Sequence, residues 1–188
     1  MIGILGLSGS LRAGSFNTAL LRNAAELAPA DARVEQASIR GIPLYDADDE
    51  ARGEIPPAVQ ALKERIVANS ALLIVTPEYN NSMPGVAKNA IDWLSRPPSD
   101  VPRVFRNRIV GVIGASPGAR GSALAQIAWL PVLRTLGTRP WFGGALYVPH
   151  AGKAFDGAGR LVDEGDRERL RRYLEGFVEY VRQMETLR

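Results

Sequence analysis

The chain has 188 residues, and its 46% hydrophobic and 23% charged residues give the balance of a globular protein rather than a disordered one. It has no cysteine and a single histidine, so we expect neither disulfides nor a metal site. The net charge is only +3, and the densest basic segment alternates with acids, so nucleic-acid binding is not expected.

The length suits one domain over residues 1–188, and no linker or repeat divides the chain. The first residues, "MIGILGLSG", lack the basic start of a signal peptide. No apolar stretch is long enough to cross a bilayer. We therefore expect a cytoplasmic protein without a membrane partner.

Apolar, β-rich runs alternate with segments of helical periodicity along the whole chain. The predicted strands cover residues 1–7, 34–39, 71–77, 109–115 and 144–149. The predicted helices cover residues 17–28, 56–69, 85–94, 122–136 and 164–184. Five such repeats predict an α/β fold, a doubly wound five-stranded parallel sheet with helices on both faces.

Three further expectations concern the weaker parts of this pattern. Residues 40–54 and 97–107 look like loops, because turn-forming residues interrupt them. Pro131 is expected to kink or divide the fourth helix. In the last helix, residues 170, 174, 177, 181 and 184 form one apolar stripe that should pack on the core.

The loop after the first strand is rich in small hydroxyl residues. It lies within "GLSGSLRAGSFNTALL", residues 6–21, between an apolar run and a helix. Helix N-termini favour anions, and Ser10, Arg12, Ser15 and Asn17 add side-chain donors that suit a terminal phosphate. The stretch matches neither a Walker loop nor a dinucleotide fingerprint. Ser15 or Asn17 could instead serve only as a helix cap.

Two more unusual loops follow the third and fourth strands. They are "TPEYNNSMPGVAKNAIDW", residues 76–93, and "ASPGARGSALAQ", residues 115–126. Each could be an ordinary turn before a helix. In a sheet of order 2-1-3-4-5, however, strands 1, 3 and 4 are neighbours, so their three loops meet at one crevice. A phosphorylated ligand with a planar polar ring would fit this arrangement.

The segments "GSLRAGSFNTAL", "PEYNNSMPGVAKNAIDW" and "SPGARGSALAQ" resemble the signatures of the NADPH-dependent FMN reductase family. That family is flavodoxin-like and includes bacterial quinone and chromate reductases and related azoreductases. The resemblance extends from residue 2 to about residue 148. It implies a flavodoxin-like fold and bound FMN.

The resemblance also implies roles for individual residues. Twelve residues would bind FMN, on the phosphate side, around the isoalloxazine, or at the far edge of the ring. They are Ser10, Arg12, Ser15, Phe16 and Asn17; Pro77, Glu78, Tyr79 and Asn80; and Ser116, Gly118 and Gly121. No side chain is expected to be catalytic, because hydride transfer takes place at flavin N5, and Tyr79 would shape the pocket. Asn81 and Ser122 depart from the common family pattern.

The implied activity is a two-electron, ping-pong oxidation of NADPH or NADH. Quinones are the expected oxidants, with azo compounds, chromate and free flavin as further candidates. Arg106 and Arg120 are open candidates for contacting the nicotinamide cofactor. The family also implies a homodimer or homotetramer.

Two other classes of function remain open at this point. One is a non-enzymatic flavodoxin-type electron carrier, and the other is a phosphate-binding module without redox activity. Carriers of this type are acidic and shield the ring between aromatic residues, whereas this chain is mildly basic and has only Tyr79 in its ring loops. The sequence therefore favours the reductase.

Overall fold

The computed structural model describes residues 1–187, which form a parallel sheet with helices on both faces. The strands run in the order β2-β1-β3-β4-β5, with β6 also paired to β4. Their bounds are β1 Ile2–Ser8, β2 Ala32–Ser38, β3 Ala71–Val75, β4 Ile109–Ala115, β5 Arg139–Pro140 and β6 Tyr147–Val148. The predicted fold class and strand order are confirmed.

The helices include the five predicted ones and several short additions. They are α1 Phe16–Glu26, α2 Ala47–Ala51, α3 Pro57–Ala68, α4 Gly85–Leu94, α5 Val101–Val104, α6 Ala123–Thr135, α7 Ala151–Ala154 and α8 Glu164–Thr186. A 3₁₀ turn, Pro98–Asp100, precedes α5. The segments read as loops therefore contain short helices, and α2 begins where the Asp46 carboxylate accepts the backbone N–H of Asp48. Within residues 1–187, no helix is both long and apolar enough to cross a membrane.

The fifth position of the sheet differs from the prediction. Two short strands share it: β5 pairs with the start of β4, and β6 pairs with its end. The predicted strand at 144–149 is correct only at Tyr147–Val148, and the pairing of Arg139–Pro140 was not predicted. A two-residue strand without an apolar run gives no periodic signal.

Pro131 does not divide its helix, because α6 is continuous from Ala123 to Thr135. Pro131 removes the hydrogen bond that the Ile127 carbonyl would otherwise accept. Both residues are exposed, so water can reach this part of the helix and take the place of the lost donor.

The core has two halves, one on each face of the sheet. In β3, Leu73 faces the cluster that contains α1 and α8, while Leu72 faces the cluster that contains α3, α4 and α6. All five β3 residues are buried, as expected of a strand covered on both sides. Four of the five positions in the predicted α8 stripe are fully buried, and Met184 packs against them. This packing fixes the carboxyl ends of β1, β3 and β4 side by side.

Candidate functional site

The loops after β1, β3 and β4 line one cavity of about 280 Å³ at the carboxyl edge of the sheet. The topology predicts this meeting point, since the order of the sheet reverses beside β1. The lining residues are Ser10, Arg12, Ser15, Phe16, Asn17, Pro77, Glu78, Tyr79, Ala115 and Pro117.

Two buried serines in the first loop combine structural and donor roles. Ser15 is the N-cap of α1, and its Oγ accepts the backbone N–H groups of Asn17 at 3.2 Å and Thr18 at 3.3 Å. Ser10 Oγ accepts the backbone N–H of Arg12 at 3.3 Å. Because both oxygens accept these bonds, each hydroxyl proton is left to donate. Both hydroxyls could therefore donate to an anion bound near the start of α1, where the helix dipole is positive.

Arg12 places a charge beside the same cavity. Its guanidinium carbon lies 5.0 Å from the ring centroid of Phe16, and Phe16 stacks on Phe155 with centroids 5.9 Å apart. Among residues 1–187, no carboxylate lies within ion-pair distance of Arg12. Arg40 donates to the Leu11 carbonyl at 2.6 Å and so holds the exposed part of this loop. The charge of Arg12 thus remains for a ligand.

Asn17 joins the first loop to the third. Its amide nitrogen donates to the Ala115 carbonyl and its amide oxygen accepts the Ala115 N–H, both at 2.9 Å. Asn17 and Ala115 are both buried, so these bonds satisfy backbone groups that water does not reach. One amide N–H of Asn17 is left over for a ligand at most. The side chain therefore positions the site as well as lining it.

Glu78 joins the second loop to α6. Its Oε2 accepts the backbone N–H groups of Leu124 at 2.8 Å and Ala125 at 3.1 Å, in the first turn of that helix. Ser122, at the N-cap position, makes no capping bond with its side chain. Its Oγ accepts instead from the Gln126 amide at 3.0 Å. A carboxylate from a different loop thus caps α6.

The tip of the second loop is a two-residue hairpin turn. Tyr79 and Ser82 exchange two backbone hydrogen bonds of 3.0 Å. Asn80 and Asn81 between them have φ values of 50° and 60°. Positive φ at both central positions is what a type I′ turn requires, and asparagine tolerates it. This turn leaves Tyr79 half-exposed at the cavity rim, with 51% of its surface accessible.

The third loop is held close to β6 and α7. The Ser116 N–H donates to the Val148 carbonyl, and the Ser116 carbonyl accepts from Ala151. Gly121 has a φ of 62°, and a Cβ there would lie 2.9 Å from the Cβ of Tyr147. Glycine is thus required by the backbone at this position.

Eight of the twelve predicted site residues line the cavity, and four do not. Asn80, Ser116, Gly118 and Gly121 belong to the same loops but lie outside the lining, whereas Ala115 and Pro117 contribute to it. Arg120 is exposed in the third loop. Arg106 lines a separate polar hollow with Asn69 and Arg139, at the opposite, amino-terminal edge of the sheet.

The donor set of the cavity suits a phosphate monoester attached to a planar ring. Two hydroxyls, one guanidinium and the start of α1 converge at the first loop, and Phe16, Pro77, Tyr79 and Pro117 add aromatic and apolar surface. The residues therefore fit FMN. Fold and cavity together define a flavodoxin-like α/β protein with a site for a phosphorylated cofactor.

Comparisons with known proteins agree with this class. A family model described as NADPH-dependent FMN reductase matches residues 2–153. An NAD(P)H-dependent FMN reductase of Pseudomonas aeruginosa is 44% identical over 183 residues, which is 97% of each chain. A 2-hydroxy-1,4-benzoquinone reductase of Burkholderia sp. is 38% identical over 174 residues, 93% of each chain.

One solved structure also matches closely. FerB, a flavoenzyme NAD(P)H:(acceptor) oxidoreductase from Paracoccus denitrificans, superposes with a TM-score of 0.86 at 32% identity, covering 97% of this chain and 98% of that one. The chain belongs to the NADPH-dependent FMN reductase family. It is an oxidoreductase whose cofactor is FMN and whose co-substrate is NAD(P)H.

Proposed function

We propose that this protein oxidises NAD(P)H and reduces quinones in two-electron steps, with FMN bound in the cavity between the three loops. The observation that carries the proposal is the convergence of Ser10, Arg12 and Ser15 at the start of α1, beside Phe16 and Tyr79. When bound, FMN would supply the redox chemistry, a hydride exchange with NAD(P)H and a two-electron reduction of the oxidant. Overall, NAD(P)H, one proton and a quinone yield NAD(P)⁺ and the hydroquinone.

The proposed roles of the residues are binding and orientation. Ser10, Arg12 and Ser15 hold the phosphate, with any remaining amide N–H of Asn17. Pro77, Glu78 and Tyr79 border the ring from the cavity wall, and Asn80, Ser116, Gly118 and Gly121 belong to the loops around it. Within residues 1–187 no histidine lines the cavity. The one carboxylate in the lining, Glu78, accepts hydrogen bonds from α6. This lining favours a reaction carried by the cofactor over side-chain acid–base catalysis.

We propose that NAD(P)H and the oxidant bind in turn, as in a ping-pong cycle. The quinone assignment is supported by the name of the Burkholderia relative, a benzoquinone reductase. Azo compounds, chromate and free flavin are secondary oxidants in this proposal. Because NAD(P)H is a cytoplasmic reductant, we place the activity in the cytoplasm.

Steady-state kinetics test this function. NADPH oxidation is followed while NADPH and a benzoquinone are varied, and parallel double-reciprocal lines are expected. Intersecting lines would contradict the ping-pong cycle. FMN-loaded protein that takes no electrons from NADPH or NADH would instead support an electron carrier. The same assay ranks azo dyes, chromate and free FMN as oxidants.

We also propose self-association into a homodimer or homotetramer. An apolar hollow between α6 and β6 is bordered by Ile127, Leu130, Phe142 and Tyr147, all of which are exposed large side chains. Contiguous exposed apolar surface of this kind is typical of protein–protein contacts.

A further inference from the structure

Glu78 is a carboxylate that the proposed reaction does not use. It lines the cavity, yet both of its hydrogen bonds are made to α6 through a single oxygen, Oε2. For Oε1, no hydrogen bond to a residue within 1–187 is found. A negative charge therefore stands at the wall of the cavity, in the second loop.

Among residues 1–187, no other side chain accepts a hydrogen bond from the first turn of the helix that Glu78 caps. α6 has no acidic residue in that turn, and Ser122 makes no side-chain capping bond. The first N–H groups of a helix carry partial positive charge, which a nearby carboxylate stabilises. In this chain the anion comes from Glu78, 46 residues before Leu124. The same interaction fixes the second loop against the third.

We propose that Glu78 is a positioning residue whose charge sets the relative affinity of the site for oxidised and reduced FMN. This inference rests on the proposed function. Reduction by a hydride, which carries two electrons and one proton, would add one negative charge to the cofactor, so a carboxylate at the cavity wall disfavours the reduced form. Glu78 thereby lowers the reduction potential of the bound cofactor and favours delivery of electrons to the oxidant, while its bonds to Leu124 and Ala125 keep the loops in place.

The test separates the charge from the hydrogen bonds. Glu78→Gln keeps an oxygen that can accept both N–H groups but removes the charge. We expect the ratio of the FMN dissociation constants, oxidised over reduced, to rise by about tenfold, which equals about 30 mV in the two-electron midpoint potential. Glu175→Gln, which removes an exposed carboxylate on α8, is the matched control and should leave the potential unchanged. A Glu78→Gln potential equal to that of the wild type or of the control would overturn the proposal.

A second measurement needs no cofactor. Glu78→Ala removes the acceptor, so the apoprotein should melt roughly 2–4 °C lower than the Glu78→Gln apoprotein. Equal melting temperatures would overturn the capping role. Wild-type protein that binds no FMN would overturn the proposed function and this inference together. Normal FMN binding and NADPH oxidation with an unshifted Glu78→Gln potential would overturn this inference alone.

Discussion

Ser15 illustrates how a single side chain can serve both the fold and a ligand. The sequence leaves open whether it caps α1 or binds phosphate, and the structure places its Oγ on two helix N–H groups while it lines the cavity. A hydroxyl has two lone pairs and one proton, so capping does not use up its donor. Ser15→Ala would thus mix a stability loss of about 1 kcal/mol with any effect on binding.

Arg12 offers a cleaner test of the phosphate site. Its guanidinium is exposed and contacts the face of Phe16, so Arg12→Ala should change the stability of the apoprotein little. Loss of a charged donor should raise the dissociation constant of FMN by roughly 10- to 100-fold, measured by fluorescence titration. Arg134→Ala, at an exposed position on α6, controls for net charge. An Arg12→Ala protein that binds FMN as tightly as this control would contradict the assignment.

Among the elements, α3 is tied to the 3₁₀ turn and to the residue Arg96 before it by a buried lysine. Lys63 has a fully buried side chain, and its Nζ donates to Asp100 Oδ2 at 2.8 Å and to the Arg96 carbonyl. The hydrogen bond from Lys63, aided by Arg103, lowers the pKa of Asp100 below its usual value. Residues 97–107, which the sequence predicts as a loop, are therefore held against α3 by the ion pair of Lys63 and Asp100.

Asp100→Asn should destabilise the protein by about 2 kcal/mol at neutral pH, because it leaves the buried ammonium of Lys63 without its carboxylate. A carboxyl group with a lowered folded pKa stabilises the fold at pH values above its unfolded pKa of about 3.9. That contribution is lost as the pH falls through the lower folded pKa. Urea unfolding from pH 7 to pH 3 should show a constant gap between variant and wild type above about pH 5 that closes in acid. A gap that persists unchanged at pH 3 would contradict this account.

The long elements could be predicted from the sequence because their apolar residues repeat with a clear period. β5, α2 and α5 have two to five residues each and carry no such signal. The sheet topology predicted that the three loops meet. It did not predict two of the hydrogen-bonded links that hold these loops together. Asn17 reaches Ala115, and Glu78 reaches Leu124, across long sequence separations that no local pattern encodes. Hydrogen-bond partners of this kind are seen only in the folded structure.

At the scale of the whole molecule, the ligand cavity and the apolar hollow mark two different surfaces. Phe142 is 72% exposed beside Trp141, Ile127 and Leu130. If copies of the chain associate through this hollow, Phe142→Ser should shift the mass measured by light scattering toward the monomer. Val162→Ser, at an exposed apolar position outside the hollow, is the control and should leave the mass unchanged. A Phe142→Ser protein with the wild-type mass would show that this surface is not the interface.

The central claim is that the three loops after β1, β3 and β4 bind FMN through its phosphate. Parallel titrations of the apoprotein with FMN and with riboflavin, which lacks the phosphate, test it most directly. We predict one FMN per chain, bound at least about 100-fold more tightly than riboflavin, since several charge-assisted hydrogen bonds are lost with the phosphate. Equal affinities for the two compounds, or no binding of FMN, would contradict the account.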